Sequence, residues 1–325
     1  MADQEGIRFV GCGYGLLGLC CDSCLLGPCR KSPFDDADSA KFCGEDSDWI
    51  VANNLMEQIS LESLQAMAAF RNAMEQASDP GGLIEASRLE EMRLLLSPFF
   101  RGPSALLKAI YPERAFPSLH ALGSPKGSWM KALMDAAAGR PPAKRDPETI
   151  LTDALCLSAM ALAAEALTRE ITVSTQEEID VSLPDSPSPL LLLISDEGGL
   201  QDDGREAQET LMNKVDAACR KEARIYRLPH VALLPSFARR VYAKWGVPVS
   251  MTRSVAVVFS SSMIRGLGAL ALGFSLVSLP GYPIQGSPIV EKFLTQNLKN
   301  KFGHAYLTIP PREDPSESIL RSLMS

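Results

Sequence analysis

The chain has 325 residues, of which 46% are hydrophobic and 22% charged, a globular balance with room for two domains of ordinary size. A formal net charge of −7 and a pI of about 5.2, with lysines and arginines scattered, argue against nucleic acid as a partner. Met1–Arg8 (MADQEGIR) lacks the apolar core of a signal peptide. The most lipid-like stretch, Gly266–Leu279, has 14 residues between Arg265 and Pro280, too few to span a bilayer. Neither export nor membrane insertion is expected, so the expected compartment is the reducing cytoplasm, where a disulfide framework would not form.

In chain order, residues 1–49 form a head carrying Cys12, Cys20, Cys21, Cys24, Cys29 and Cys43, six of the eight cysteines. A core has no use for so many thiols at such spacings, whereas iron or zinc takes four thiolates tetrahedrally. Side chains at adjacent positions point apart, so Cys20 and Cys21 can serve two different centres. Gly11, Gly13, Gly15, Gly18 and Gly27-Pro28 let the backbone wrap closely around a centre and leave amides free to donate to its sulfurs. Asp48 is the expected N-cap of a helix over Trp49–Ala77, ended by Asp79-Pro80-Gly81-Gly82. A second helix is expected over Leu83–Leu96, then short helices among Pro-rich connections up to Pro141-Pro142. Glu148–Arg169, almost entirely apolar, reads as a central buried helix.

After Ile171 the pattern becomes strand–helix alternation. Strands are expected at Leu190–Ser195, Ala223–Arg227, Val255–Phe259, Leu276–Leu279 and Ala305–Ile309. Helices fit from the acidic loop Asp196–Asp203 to Arg220, and at Phe237–Ala243, Met263–Gly273, Ser287–Leu298 and Pro315–Leu323. Continuous apolar strands imply a parallel sheet covered on both faces. The expected fold class is α + α/β: a cysteine-rich head (1–49), a helical domain (50–170) and one Rossmann-like parallel α/β domain (171–325). No GxGxxG or GxxxxGK[ST] supports nucleotide binding, and Gly266-Leu-Gly268 reads as helix packing.

The segment Cys12-GYGLLGL-Cys20-Cys21-DS-Cys24-LLGP-Cys29-Arg30, closed by Cys43-Gly44, resembles the N-terminus of the nickel-dependent carbon monoxide dehydrogenases. The spacings of all six cysteines agree, as does the LLGPCR wording. A weaker similarity covers Ala269–Ser287, through LPGYPIQGS, and FGHAYLTIPPREDP, which resemble that family's closing Rossmann-like domain. The resemblance implies that Cys21, Cys24, Cys29 and Cys43 hold a [4Fe-4S] cluster within one subunit. It also implies that Cys12 and Cys20 hold a second cluster, [4Fe-4S] or [2Fe-2S], with the same residues of a homodimer partner. Both would carry electrons to ferredoxin-like acceptors.

The chain departs from that family where its chemistry lies. The family's nickel–iron–sulfur centre takes one histidine and several cysteines, while here only Cys156, Cys219, His120, His230 and His304 remain. Neither thiol belongs to a Cys/His-rich constellation, so no nickel is expected and no catalytic residue is assigned. For the quartet the alternative is structural zinc. For Cys12 and Cys20 the alternatives are a vestigial pair, a disulfide, or a site completed by Cys156 and Cys219; an axial site receiving the same residues from each chain fits a C2 dimer. Ser260-Ser261-Ser262 and Asp196-Glu197 follow strand ends where open α/β sheets bind ligands, with helix capping as the plainer role for the acidic pair.

The leading expectation is an iron–sulfur electron-transfer or scaffold subunit of an anaerobic redox complex, possessing the wires without CO-oxidising activity, with a separate catalytic subunit among its candidate partners. The alternatives are a carbon monoxide dehydrogenase-like oxidoreductase with a divergent active site between the domains, or a protein whose clusters are purely structural. Asp22, Asp35, Asp36, Asp38, Glu45, Asp46 and Asp48, against Arg30, Lys31 and Lys41, would hold a cluster at low potential.

Overall fold

The structure is a computed structural model. It describes residues 17–21, 29–30, 46–77, 90, 110–122, 146–172, 182–195, 202–259, 263–278, 284, 287–307 and 314–324. The helix expected over Leu83–Leu96 lies outside these residues apart from Glu90, which is helical.

Helix α1 (Ser47–Ala77) buries Val51, Leu55, Ile59, Phe70 and Met74 along one side, at the three- and four-residue steps that align side chains on a helix. Its cap differs from expectation. Asp46, not Asp48, accepts the Trp49 amide at 2.8 Å on its carboxylate, while its own carbonyl receives the Ile50 amide at 3.1 Å. Asp48 instead accepts the Ser287 hydroxyl at 2.5 Å.

A short helix α2 (Pro117–Leu122) leads towards α3 (Pro147–Thr172), the expected central helix. Its apolar residues are covered on nearly every side, from Ile150 and Leu151 through Met160 and Leu162 to Ile171. Among the described residues, α3 is the helix long and apolar enough to pass for a membrane span by length and composition; 83% of its apolar window is buried inside the protein. α1 packs along it, and buried Tyr111 donates its hydroxyl to the Ala159 carbonyl at 2.8 Å.

The second half builds β3 (Leu190–Ser195), α4 (Asp202–Cys219), β4 (Arg224–Leu228), α5 (Leu234–Trp245), β5 (Ser254–Phe259), α6 (Met263–Leu272) and β6 (Ser275–Ser278). It closes with α7 (Pro288–Lys292), a π-helical turn (Phe293–Asn297), α8 (Leu298–Phe302) and α9 (Pro315–Met324). Among the described residues the main sheet has four strands in the order β4-β3-β5-β6, all parallel, with Leu192 paired to both Tyr226 and Ala256. The strand expected at Ala305–Ile309 contributes a single parallel bridge from Tyr306 to Leu276; residues 308–309 lie outside the described set.

Alternation along β3 divides the core. Leu190, Leu192 and Ile194 face the larger cluster with α1, α3, α5 and α6. Leu191 and Leu193 face the smaller one, with Met212, Val215 and Cys219 of α4 and Ile319 and Leu323 of α9. The helical half therefore stacks on one face of the sheet through α6, and one core runs from Leu19 to Tyr306. Gly268 permits the contact. A Cβ there would meet the Leu162 Cδ2 at 3.1 Å and the Ser158 carbonyl at 3.3 Å, a close helix approach of the kind expected of this segment.

Gly273 ends α6 at φ +104°, and a Cβ would lie 2.8 Å from that of Ser250. Both the conformation and the space exclude a side chain, so Gly273→Ala is expected to destabilise the chain by about 1–3 kcal/mol, read from chemical denaturation.

His304 is 4% exposed, and burial lowers its pKa to about 4 against the pull of the Phe302 and Leu270 carbonyls. Its neutral form is favoured in the fold. The resulting stability is complete above the ordinary histidine value near 6.5 and is lost as pH falls towards 4. Unfolding free energy should drop by roughly 2–4 kcal/mol across that window, and His304→Leu should remove that slope in pH-dependent denaturation.

Candidate metal centre

The head enters the described residues as two short strands, β1 (Cys20–Cys21) and β2 (Cys29–Arg30). They pair antiparallel, with Cys21 opposite Cys29 and Cys20 opposite Arg30. Residues directly opposed in such a ribbon have Cα atoms about 4.5–5.5 Å apart. The backbone thus puts two of the four expected ligands of one centre at facing register positions, and puts Cys20 one step along, on the other face. Cys12, Cys24 and Cys43, and the side chains of Cys21 and Cys29, lie outside the described residues. Among the described residues, no three His, Cys, Asp or Glu side chains converge as a metal site.

The ribbon is seated on α1. Leu19 is fully buried in the main core, Gly18 turns at φ 78°, and Cys20 is half-buried. The Asn54 amide nitrogen donates to the Gly18 carbonyl at 2.9 Å and to the Cys20 carbonyl at 2.6 Å. This anchor was not anticipated. Asn53 and Asn54 are equivalent in sequence, and only the packed helix shows that Asn53 donates to Glu57 in its own helix at 3.0 Å while Asn54 reaches the ribbon. At the head of α1, Trp49 is 4% exposed and its indole N–H has no acceptor among the described residues. A buried donor of this kind is what an anionic cluster with sulfur acceptors would use. Two cysteines at facing register positions are a backbone arrangement that an iron–sulfur group could use.

Among the described residues the two remaining thiols form no metal-binding group with the ribbon. Cys219 sits in the smaller cluster beneath the sheet, and Cys156 belongs to α3 on the opposite side. Burial, with help from the Asp153 carboxylate, pushes the Cys156 thiol up to about 12; burial and Asp216 raise Cys219 to about 11. Two neutral thiols on opposite faces cannot converge on one centre. The histidines are likewise engaged in the fold. His120 donates from Nε2 to the Tyr111 carbonyl at 2.6 Å, His230 caps a short helical turn by accepting the Ala232 amide on Nδ1 at 3.0 Å, and His304 donates from Nδ1 to the Phe302 carbonyl at 3.2 Å.

The sheet order β4-β3-β5-β6 reverses its winding between β3 and β5, whose last residues, Ser195 and Phe259, are paired. Asp196-Glu197 and Ser260-Ser261-Ser262 follow these two strand ends directly, but they lie outside the described residues.

Comparison with known proteins places the chain. Over 68 aligned positions it is 45% identical to a carbon monoxide dehydrogenase 1 of Methanosarcina acetivorans, covering 18% of this chain and 11% of that protein. Over 49 positions it is 49% identical to the carbon monoxide dehydrogenase of Rhodospirillum rubrum, covering 15% and 8%. Over these short stretches the chain is similar to carbon monoxide dehydrogenases. It covers only about a tenth of the length of these relatives. The as-isolated, Ni-free crystal structure of carbon monoxide dehydrogenase from Thermococcus sp. AM4, produced without CooC maturase, superposes with a TM-score of 0.68. That match covers 98% of this chain and 92% of that one at 12% identity, and shows a shared fold. No protein-family model matches the chain.

Because the thiolate is the reactive form, Cys156 and Cys219 should resist alkylation in the folded protein at pH 8. Mass spectrometry should find them modified only after denaturation.

Proposed function

We propose that the chain is an iron–sulfur electron-transfer or scaffold subunit of an anaerobic redox complex, built on the carbon monoxide dehydrogenase plan without CO-oxidising chemistry of its own. The observation that carries this reading is the facing register of Cys21 and Cys29, with Cys20 one position along on the other face. Cys21, Cys24, Cys29 and Cys43 hold a [4Fe-4S] cluster within the chain. Cys12 and Cys20 hold a second, [4Fe-4S] or [2Fe-2S], completed by the same residues of a homodimer partner on the two-fold axis. When bound, these clusters supply one-electron storage and transfer; the chain's own residues position them, and the acidic head biases them to low potential.

The separation of Cys156 from Cys219 by the sheet supports leaving nickel chemistry out, since neither thiol can share a centre with the other. The proposed division is a cluster-bearing head (1–49), a helical domain (50–170) and a Rossmann-like domain (171–325), working in the cytoplasm. Its partners are a ferredoxin-like acceptor and a separate catalytic subunit.

Anaerobic purification with iron, sulfide and nickel analysis, native mass and CO-dependent viologen reduction tests the reading. Two clusters arranged in this way, both [4Fe-4S], give a dimer with about 6 iron atoms per chain, a reducible EPR signal, no nickel and no turnover. Stoichiometric nickel with turnover would establish the enzymatic alternative, zinc in place of iron would overturn the cluster assignment, and iron that never changes oxidation state would make the clusters structural.

A further inference from the structure

We propose that Asn54 is a positioning residue for both iron–sulfur centres, fixing through one side chain the peptide that joins Cys20 to Cys21. The inference rests on the reading above, in which these consecutive cysteines belong to different centres.

The argument is geometric. A side-chain amide has two N–H donors, and the nitrogen of Asn54 lies within hydrogen-bonding distance of two carbonyls, Gly18 at 2.9 Å and Cys20 at 2.6 Å. Those carbonyls belong to the peptide units that precede Leu19 and follow Cys20. Because each peptide is planar, holding the Cys20 oxygen also fixes the plane that carries the Cys21 nitrogen. Between the two bonds Leu19 is fully buried in the main core. Two hydrogen bonds and one apolar anchor therefore attach a turn to a rigid helix of 31 residues.

The position of this attachment gives it a consequence beyond loop stability. A ribbon with two residues in each strand has little pairing of its own to resist twisting. Rotation of the Cys20–Cys21 peptide would swing the two ligand residues in opposite senses, moving both centres relative to each other. Asn54 opposes that rotation from outside the ligand sets. Sequence spacing does not distinguish it from Asn53, which bonds Glu57 within the helix.

The test compares anaerobically reconstituted full-length dimers of wild type, Asn54→Ala, Asn54→Gln and Met67→Ala. Met67 is buried in α1 more than three turns beyond Asn54, so its truncation controls for general loss of stability. Iron release to a chelator, EPR of the reduced clusters and amide exchange of residues 18–21 in the iron-free chain are measured at temperatures where all four remain folded by circular dichroism. Asn54→Ala should release iron roughly tenfold faster than wild type, as expected for lost support behind a ligand, with altered cluster EPR and faster exchange at residues 18–21. Met67→Ala should show none of these changes, and Asn54→Gln, which keeps the donors, should recover part of the loss.

Wild-type EPR and iron retention in Asn54→Ala would overturn the proposal, and so would equal iron loss in Met67→Ala. Wild-type protein that takes up no iron would overturn both this inference and the reading beneath it. Iron-loaded wild type with an unaffected Asn54→Ala removes the inference alone.

Discussion

An apolar helix covered on nearly every side is the constraint from which the architecture follows. α3 carries leucine, isoleucine, methionine and alanine around nearly its whole circumference, and each large side chain left in water would cost about 1.5–3 kcal/mol. One neighbour cannot cover such a helix. α1 closes one side and α6 another, and α6 approaches closely because Gly268 presents no side chain to Leu162 and the Ser158 carbonyl. Since α6 also lies on the sheet beside β6, covering α3 presses the helical half onto the β3–β5 face. The head is then seated on an element whose other side is already committed.

Much of this was legible because the apolar pattern is strong. Leu190–Ser195 is a strand with the expected bounds, since an uninterrupted apolar run of strand length between polar segments fits a parallel strand covered on both faces. The long helices are equally plain from their composition. What escaped depended on partners distant in sequence. Asp46 and Asp48 are both credible caps, and the second is drawn off by Ser287, 239 residues away. Ser287 can do this because its oxygen also accepts the Val290 amide at 3.0 Å, joining the heads of α1 and α7. The apolar stretch from Gly266, by contrast, divides near the expected bounds into α6 and β6, with the positive φ of Gly273 turning the chain between them.

Of the candidate site, the cysteine spacing was legible in the sequence and the support of the ribbon was not. Cysteine spacing identifies which residues can bind metal, because the chemistry restricts the residue type. Asparagine has no such restriction, and its role at residue 54 exists only because the carbonyls of Gly18 and Cys20 reach that turn of α1. The same distinction separates the two classes of thiol. Cys156 and Cys219 are held neutral by burial and by nearby carboxylates, whereas a ligand must give up its proton to bind iron.

Two kinds of likeness bear differently on this chain. Identity near one half extends over only 49 to 68 positions, while the fold is shared over 98% of the chain at 12% identity. A wound sheet with a covered helix needs only a pattern of apolar and small residues, which many sequences satisfy. A ligand set tolerates no such exchange, because replacing one thiolate changes the metal that can be held. A short stretch of high identity beside a fold shared at low identity is the pattern these two unequal demands would leave. Its two other thiols have been absorbed into the core, one on each side of the sheet, where shape is the only thing they can serve.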